Sequence, residues 1–98
     1  MTTIWSAFDG LELQTLATDG ETDAANRLNV WPVTTTEEVG EDDTFSSHAI
    51  YGHLKEGGVR CLADCTSPDD ARAIAAAIAT ATGLPIVYDL LVEWPVTP

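Results

Sequence analysis

The sequence predicts a small α+β domain: an antiparallel or mixed sheet of four to five strands, with one main helix at about residues 68–82 packed on one face. Three observations lead there. Residues 67–83 carry the start and stop signals of a helix in one stretch, and β-rich runs lie on both sides of it, separated by glycine-bearing turns. The chain has 98 residues, 45% of them hydrophobic and 20% charged, which suits a single globular domain, here 1–98. A core of this size is small.

Taking the elements in order, Ile4 to Phe8 and Leu11 to Ala17 read as two short strands around Asp9-Gly10. Asp-Gly tolerates the positive φ values of a type I′ hairpin turn. Thr22 as N-cap predicts a short helix over Asp23 to Leu28, too short to stand without packing by Ala24, Ala25 and Leu28. Asn29 to Thr36 is β-rich but contains Pro32, which fits an edge strand or an extended segment and excludes a central strand. Thr36 to Ser47 is acidic, nearly devoid of apolar side chains and punctuated by Gly40, and predicts a long loop.

His48 to Leu54 and Val59 to Cys65 flank Lys55-Glu56-Gly57-Gly58, a hairpin whose glycines supply the turn. Alternation along the second strand puts Val59, Cys61, Ala63 and Cys65 on one apolar face and Arg60, Leu62 and Asp64 on the other. The helix signal follows: Ser67 as N-cap, Pro68 at the first helical position, Asp69 and Asp70 at the positive end of the dipole, and Gly83 as the left-handed stop. Its expected buried stripe is Ala71, Ile74, Ala75 and Ile78. After Pro85, Ile86 to Val92 is nearly unbroken Ile, Val, Tyr and Leu, and predicts a buried strand. The tetrapeptide Trp31-Pro32-Val33-Thr34 recurs as Trp94-Pro95-Val96-Thr97, which is either a degenerate duplication or two similar edge segments.

Charge is the most unusual property. Sixteen acids oppose four bases, for a net charge of −12. Residues 1–54 hold ten of the acids and a single base, Arg27, leaving that half at −9. The density peaks at Glu37, Glu38, Glu41, Asp42 and Asp43, with a second group at Asp19, Glu21 and Asp23. Such a surface repels phosphates, so direct nucleic-acid or anionic-membrane binding is not expected. A basic partner is its complement, and a solvated face or a halophilic source are the plainer accounts of the same acids. There is no long apolar run and no basic segment leading into an apolar one, so a soluble protein of the cytoplasm is expected.

Candidate chemistry is sparse. His48, His53, Cys61 and Cys65 are zinc-ligand types, but Cys-x₃-Cys and two histidines on opposite sides of a strand do not make a zinc spacing. Buried cysteines and surface histidines are expected instead, with no metal and no cofactor. The two cysteines on one strand would lie about 13 Å apart at about 3.3 Å per residue, beyond disulfide reach. His53 and Cys61 sit on paired strands, yet an interior thiol in an acidic protein is a poor nucleophile. No phosphate-cradling motif is present. Enzymatic activity is not expected.

Residues 63–77, from Ala63-Asp64-Cys65 through Asp70-Ala71-Arg72-Ala73-Ile74-Ala75-Ala76-Ala77, resemble a hairpin-to-helix segment common in small phage and prophage proteins. Those often read Asp-Ala-Arg-x-Ile-Ala-Ala-Ala after a strand, then continue with Pro and a longer Leu-rich helix, where this chain departs. The resemblance implies a viral origin. In general character, a small acidic domain of that origin resembles the anti-CRISPR proteins and other nucleic-acid-mimicking inhibitors, a class without a shared motif. It implies an inhibitor or modulator of a basic, nucleic-acid-handling protein or nucleoprotein complex in the host cytoplasm, acting through Glu37, Glu38, Glu41, Asp42, Asp43, Asp19, Glu21 and Asp23. The alternative is an assembly module that self-associates through a sheet edge or its Trp-Pro segments.

Overall fold

The computed structural model describes residues 4–94. A five-stranded sheet carries one helix on one face, the α+β arrangement expected. The strands are β1 (Phe8–Thr18), β2 (Trp31–Val33), β3 (Thr44–Leu54), β4 (Val59–Cys65) and β5 (Ile86–Leu90), and the helix is α1 (Pro68–Thr82). β1 is the hub. β3 pairs along one side of it and β4 lies beyond β3, while β5 covers Leu11–Gln14 and β2 covers Thr15–Ala17 on its other side. Every pairing is antiparallel except β1 with β5.

α1 starts and stops where its local signals place it. The Ser67 hydroxyl accepts from the Asp70 N–H at 3.1 Å, and Gly83, at φ 78°, turns its N–H to the Ala79 carbonyl at 2.8 Å. Ser67→Ala is expected to lower stability by about 1 kcal/mol, read as a smaller urea midpoint with unchanged slope. Ala71 and Ala75 are fully buried against Leu13, Ile50 and Cys65, so only methyl groups separate the helix backbone from the sheet. Ile74, expected in the stripe, is instead 42% exposed. It stands about 60° around the helix from the line of Ala71, Ala75 and Ile78, on the shoulder that clears the sheet.

The expected hairpin at Asp9-Gly10 does not form. Residues 4–7 make a single 3₁₀ turn, and β1 runs unbroken from Phe8 to Thr18 because pairing along β3 buries Leu11 and Leu13. Asp9 is the extra residue of a bulge between the Phe8 and Gly10 pairings. Gly10 does not adopt positive φ. It is needed for space, since a Cβ there would lie 2.9 Å from a Val87 methyl.

The short helix expected over Asp23 to Leu28 is also absent. The Asp23 carboxylate accepts from the N–H groups of Ala25 (2.8 Å) and Arg27 (3.0 Å), Asn26 is left-handed at φ 63°, and Thr22 bridges Leu28. Ala24, Ala25 and Leu28 are exposed, so nothing supplies the packing a short helix requires. Without that helix and the first hairpin the two halves share no repeated unit, and Pro95, Val96 and Thr97 of the second Trp-Pro segment lie outside the described residues.

Pro32 does sit on an edge strand, β2. β3 begins at Thr44, four residues earlier than expected, shortening the acidic loop. β5 departs most from expectation: all five of its residues are exposed. The sheet face opposite α1, with Glu12, Gln14 and Tyr51, has no covering helix among the described residues. No described helix is long and apolar enough to cross a membrane.

Candidate protein interface

Two acidic loops are anchored at one end of the sheet. Thr18, the last residue of β1, pairs with Thr44, the first of β3. The loop over residues 19–30 departs from the former, and the loop over residues 34–43 arrives at the latter. Asp19 and Asp43, the residues adjoining that pair, thus share a sheet end, far apart as they are along the chain, and the other acids of the two groups follow on the loops that they anchor. Lys55 and Arg60 belong to the hairpin at the opposite end.

The acids divide by role. Glu38 reaches back to accept from the Thr34 hydroxyl and from the N–H groups of Thr34 (2.9 Å) and Thr35 (3.0 Å), closing the 3₁₀ turn Thr36–Glu38. Those donors, the Thr34 hydroxyl first, hold its carboxyl below the usual range. Asp43 accepts from the Gly40 N–H at 2.8 Å and Asp19 from the Glu21 N–H at 2.8 Å. Asp23 folds its own turn and pairs with Arg27 at 3.0 Å, and the Arg27 N–H is the chief cause of its lowered pKa. Glu21, Glu37, Glu41 and Asp42 are exposed and have no side-chain hydrogen bond or ion pair among the described residues. Of the eight acids, four shape the loops and four face solvent uncompensated.

Beside Asp19 and Asp23 is a group of partly exposed apolar side chains. Leu28 and Val30 are 48% and 45% exposed, and with half-buried Trp31 they line an open cleft shared with Asp19, Asp23 and Arg27. The readable signal was the run Leu28-Asn29-Val30-Trp31 directly after an acidic group. Apolar anchors ringed by charge are the anatomy of a protein interface.

The other candidate residues are dispersed. His48, expected at the surface, is fully buried, with its Nδ1 2.7 Å from the Thr15 hydroxyl, its ring 4.7 Å from that of Phe45 and its Nε2 without a hydrogen-bond partner. Burial keeps its pKa below the ordinary value. His53 lies on the open face, 2.6 Å from Asp9. The cysteines do not share a face, because Tyr51 pairs with Cys61 while Ile50 pairs with Ala63, so a bulge at Leu62 shifts the alternation. Cys65 is therefore buried against α1 and Cys61 is exposed near Tyr51 and Asp64; both are free thiols. Partial burial, then the Asp64 charge, pushes the Cys61 thiol up, and burial does the same to Tyr51. Among the described residues no three His, Cys, Asp or Glu side chains converge as metal ligands.

No family model, no curated protein and no solved structure matches this chain.

Proposed function

We propose that this domain is a protein-binding module that presents its acidic sheet end to a basic, nucleic-acid-handling partner and blocks that partner's phosphate-binding surface. One observation carries the reading. Glu21, Glu37, Glu41 and Asp42, exposed and free of internal partners, lie on the two loops that adjoin the paired Thr18 and Thr44, and the first of these loops also lines the open cleft at Trp31. Carboxylates held on short, internally bonded loops can occupy Lys and Arg sites that otherwise hold phosphates, with encounter steered by the long-range field. Trp31, Leu28 and Val30 supply the desolvated contact that charge alone lacks. An anti-defence role, as the likeness to anti-CRISPR inhibitors implies, is the specific form of this reading.

The test is binding to host nucleic-acid-binding proteins captured on the immobilised domain. Capture is expected to fall steeply with salt and to be competed by DNA or RNA. A variant carrying Glu21→Gln, Glu37→Gln, Glu41→Gln and Asp42→Asn is expected to lose affinity about 100-fold, on the order of 2–3 kcal/mol, while retaining the loop contacts of Glu38, Asp43, Asp19 and Asp23. Equal capture by wild type and variant would sink the proposal.

A further inference from the structure

The edge formed by β5 is strongly apolar and exposed. Ile86, Val87, Tyr88 and Leu90 are 40%, 45%, 54% and 38% exposed, four large apolar side chains in five consecutive positions. The strand's one sheet partner is β1, so its outer backbone edge is open among the described residues. Edges of soluble proteins are normally interrupted by charge, proline or a covering element. Here the only charge, Asp89, is turned to Arg72 at 3.1 Å. The same arginine reaches Glu93 at 3.4 Å and Asp69 at 3.9 Å.

We infer that β5 is a self-association edge, and that its occupant is β5 of a second copy of this chain, paired antiparallel about a two-fold axis into a continuous ten-stranded sheet. Charge selects this occupant. A basic partner finds the strand's single carboxylate already paired, whereas a second copy meets four exposed apolar side chains like its own. Orientation adds to this. β5 runs parallel to β1 and therefore toward the acidic end at Thr18 and Thr44. Antiparallel pairing reverses the second copy, so the two acidic ends point away from one another, beyond the ~8 Å over which charges act at physiological salt. Two-fold pairing is also self-complementary, the commonest way identical chains associate. A five-residue strand is about 17 Å long, so the buried surface falls below the ~1,200–2,000 Å² of a standard stable interface, and a reversible dimer is expected.

Sedimentation equilibrium on the full chain, from about 5 to about 300 µM, spans the dissociation of such an interface. A monomer–dimer equilibrium is expected, strengthened by added NaCl as repulsion is screened. Tyr88→Lys is expected to weaken it at least about tenfold, because two ammonium groups would face each other near the axis. Hydrogen exchange of the unmodified chain gives an independent readout: amides of residues 86–90 should slow as concentration rises. A chain that stays monomeric throughout this range in low and high salt overturns the inference, as do exchange rates over 86–90 that ignore concentration or a dimer untouched by Tyr88→Lys. The four-acid variant should dimerise at least as tightly as wild type, so failure here and failure of the proposed function are distinguishable.

Discussion

Phe8→Ala is expected to destabilise the domain by about 3–5 kcal/mol, and Gly52→Ala by about 1–3 kcal/mol, with the two effects strongly coupled. The reason is a single packing contact. Phe8 is 4% exposed and lies across Gly52, where an added Cβ would come within 2.5 Å of two ring carbons. Trp5 closes the other side, with ring centroids 6.0 Å apart. Removing the ring leaves a cavity, whereas adding a methyl at Gly52 forces the ring off its rotamer. A methyl added after the ring is gone fills space instead. In the Phe8→Ala background, Gly52→Ala should therefore cost no more than about 0.5 kcal/mol. Urea unfolding of the four proteins tests this, and additive losses would refute the contact as the cause.

Thr15→Val is expected to cost about 2–6 kcal/mol, since it strands two polar groups at about 1–3 kcal/mol each. Thr15 is fully buried, and its hydroxyl sits 2.7 Å from His48 Nδ1 while accepting from the Val92 N–H at 2.8 Å. The same site sets a pH dependence. Burial depresses the His48 pKa below its ordinary 6.5; the Trp94 main chain and Glu93 act in the opposite sense, and Arg72 reinforces the depression. A depressed folded value means that the unfolded chain binds the proton more readily. The stability is therefore present above pH 6.5 and is lost as pH falls below it toward the folded value. Unfolding midpoints measured from about pH 7.5 down to about pH 5.5, above the range where carboxylates titrate, should decline. His48→Gln should flatten the decline. A wild-type midpoint that stays level or rises over that interval contradicts the assignment.

Local signals were legible and distant ones were not. α1 could be read to the residue because Ser67, Pro68 and Gly83 act on their own neighbours. Pro32 likewise announced an edge, and Gly57-Gly58 the second hairpin, where both take positive φ. Gly10 misled because its reason is Val87, 77 positions later, and no turn exists there. Composition marked Ile86 to Leu90 as β but carried no word on which side would be covered. The acidic groups were visible as runs, yet that both loops are anchored at one sheet end follows from the Thr18 and Thr44 pairing. Asp19 and Asp23 fold their own loop by bonding N–H groups two residues on, the usual habit of Asp in turns, a signal that the expected helix over Asp23 to Leu28 passed over. The buried bond between Thr15 and His48 has no local signature at all.

The parallel pairing of β1 with β5 joins the first strand to the last. Leu11 finds Ile86 and Thr15 finds Val92 only after most of the intervening chain has been collected, so this part of the sheet carries the largest loop-closure cost and belongs late in folding. Until then β1 shows its own unpaired flank at Leu11 to Gln14, and the apolar 86–90 segment has nowhere to go. Species of that kind stick to one another. A net charge of −12 concentrated in the first half of the chain is expected to keep such half-made molecules apart during that interval, a consequence of the acids that belongs to the path to the fold and not to its finished surface.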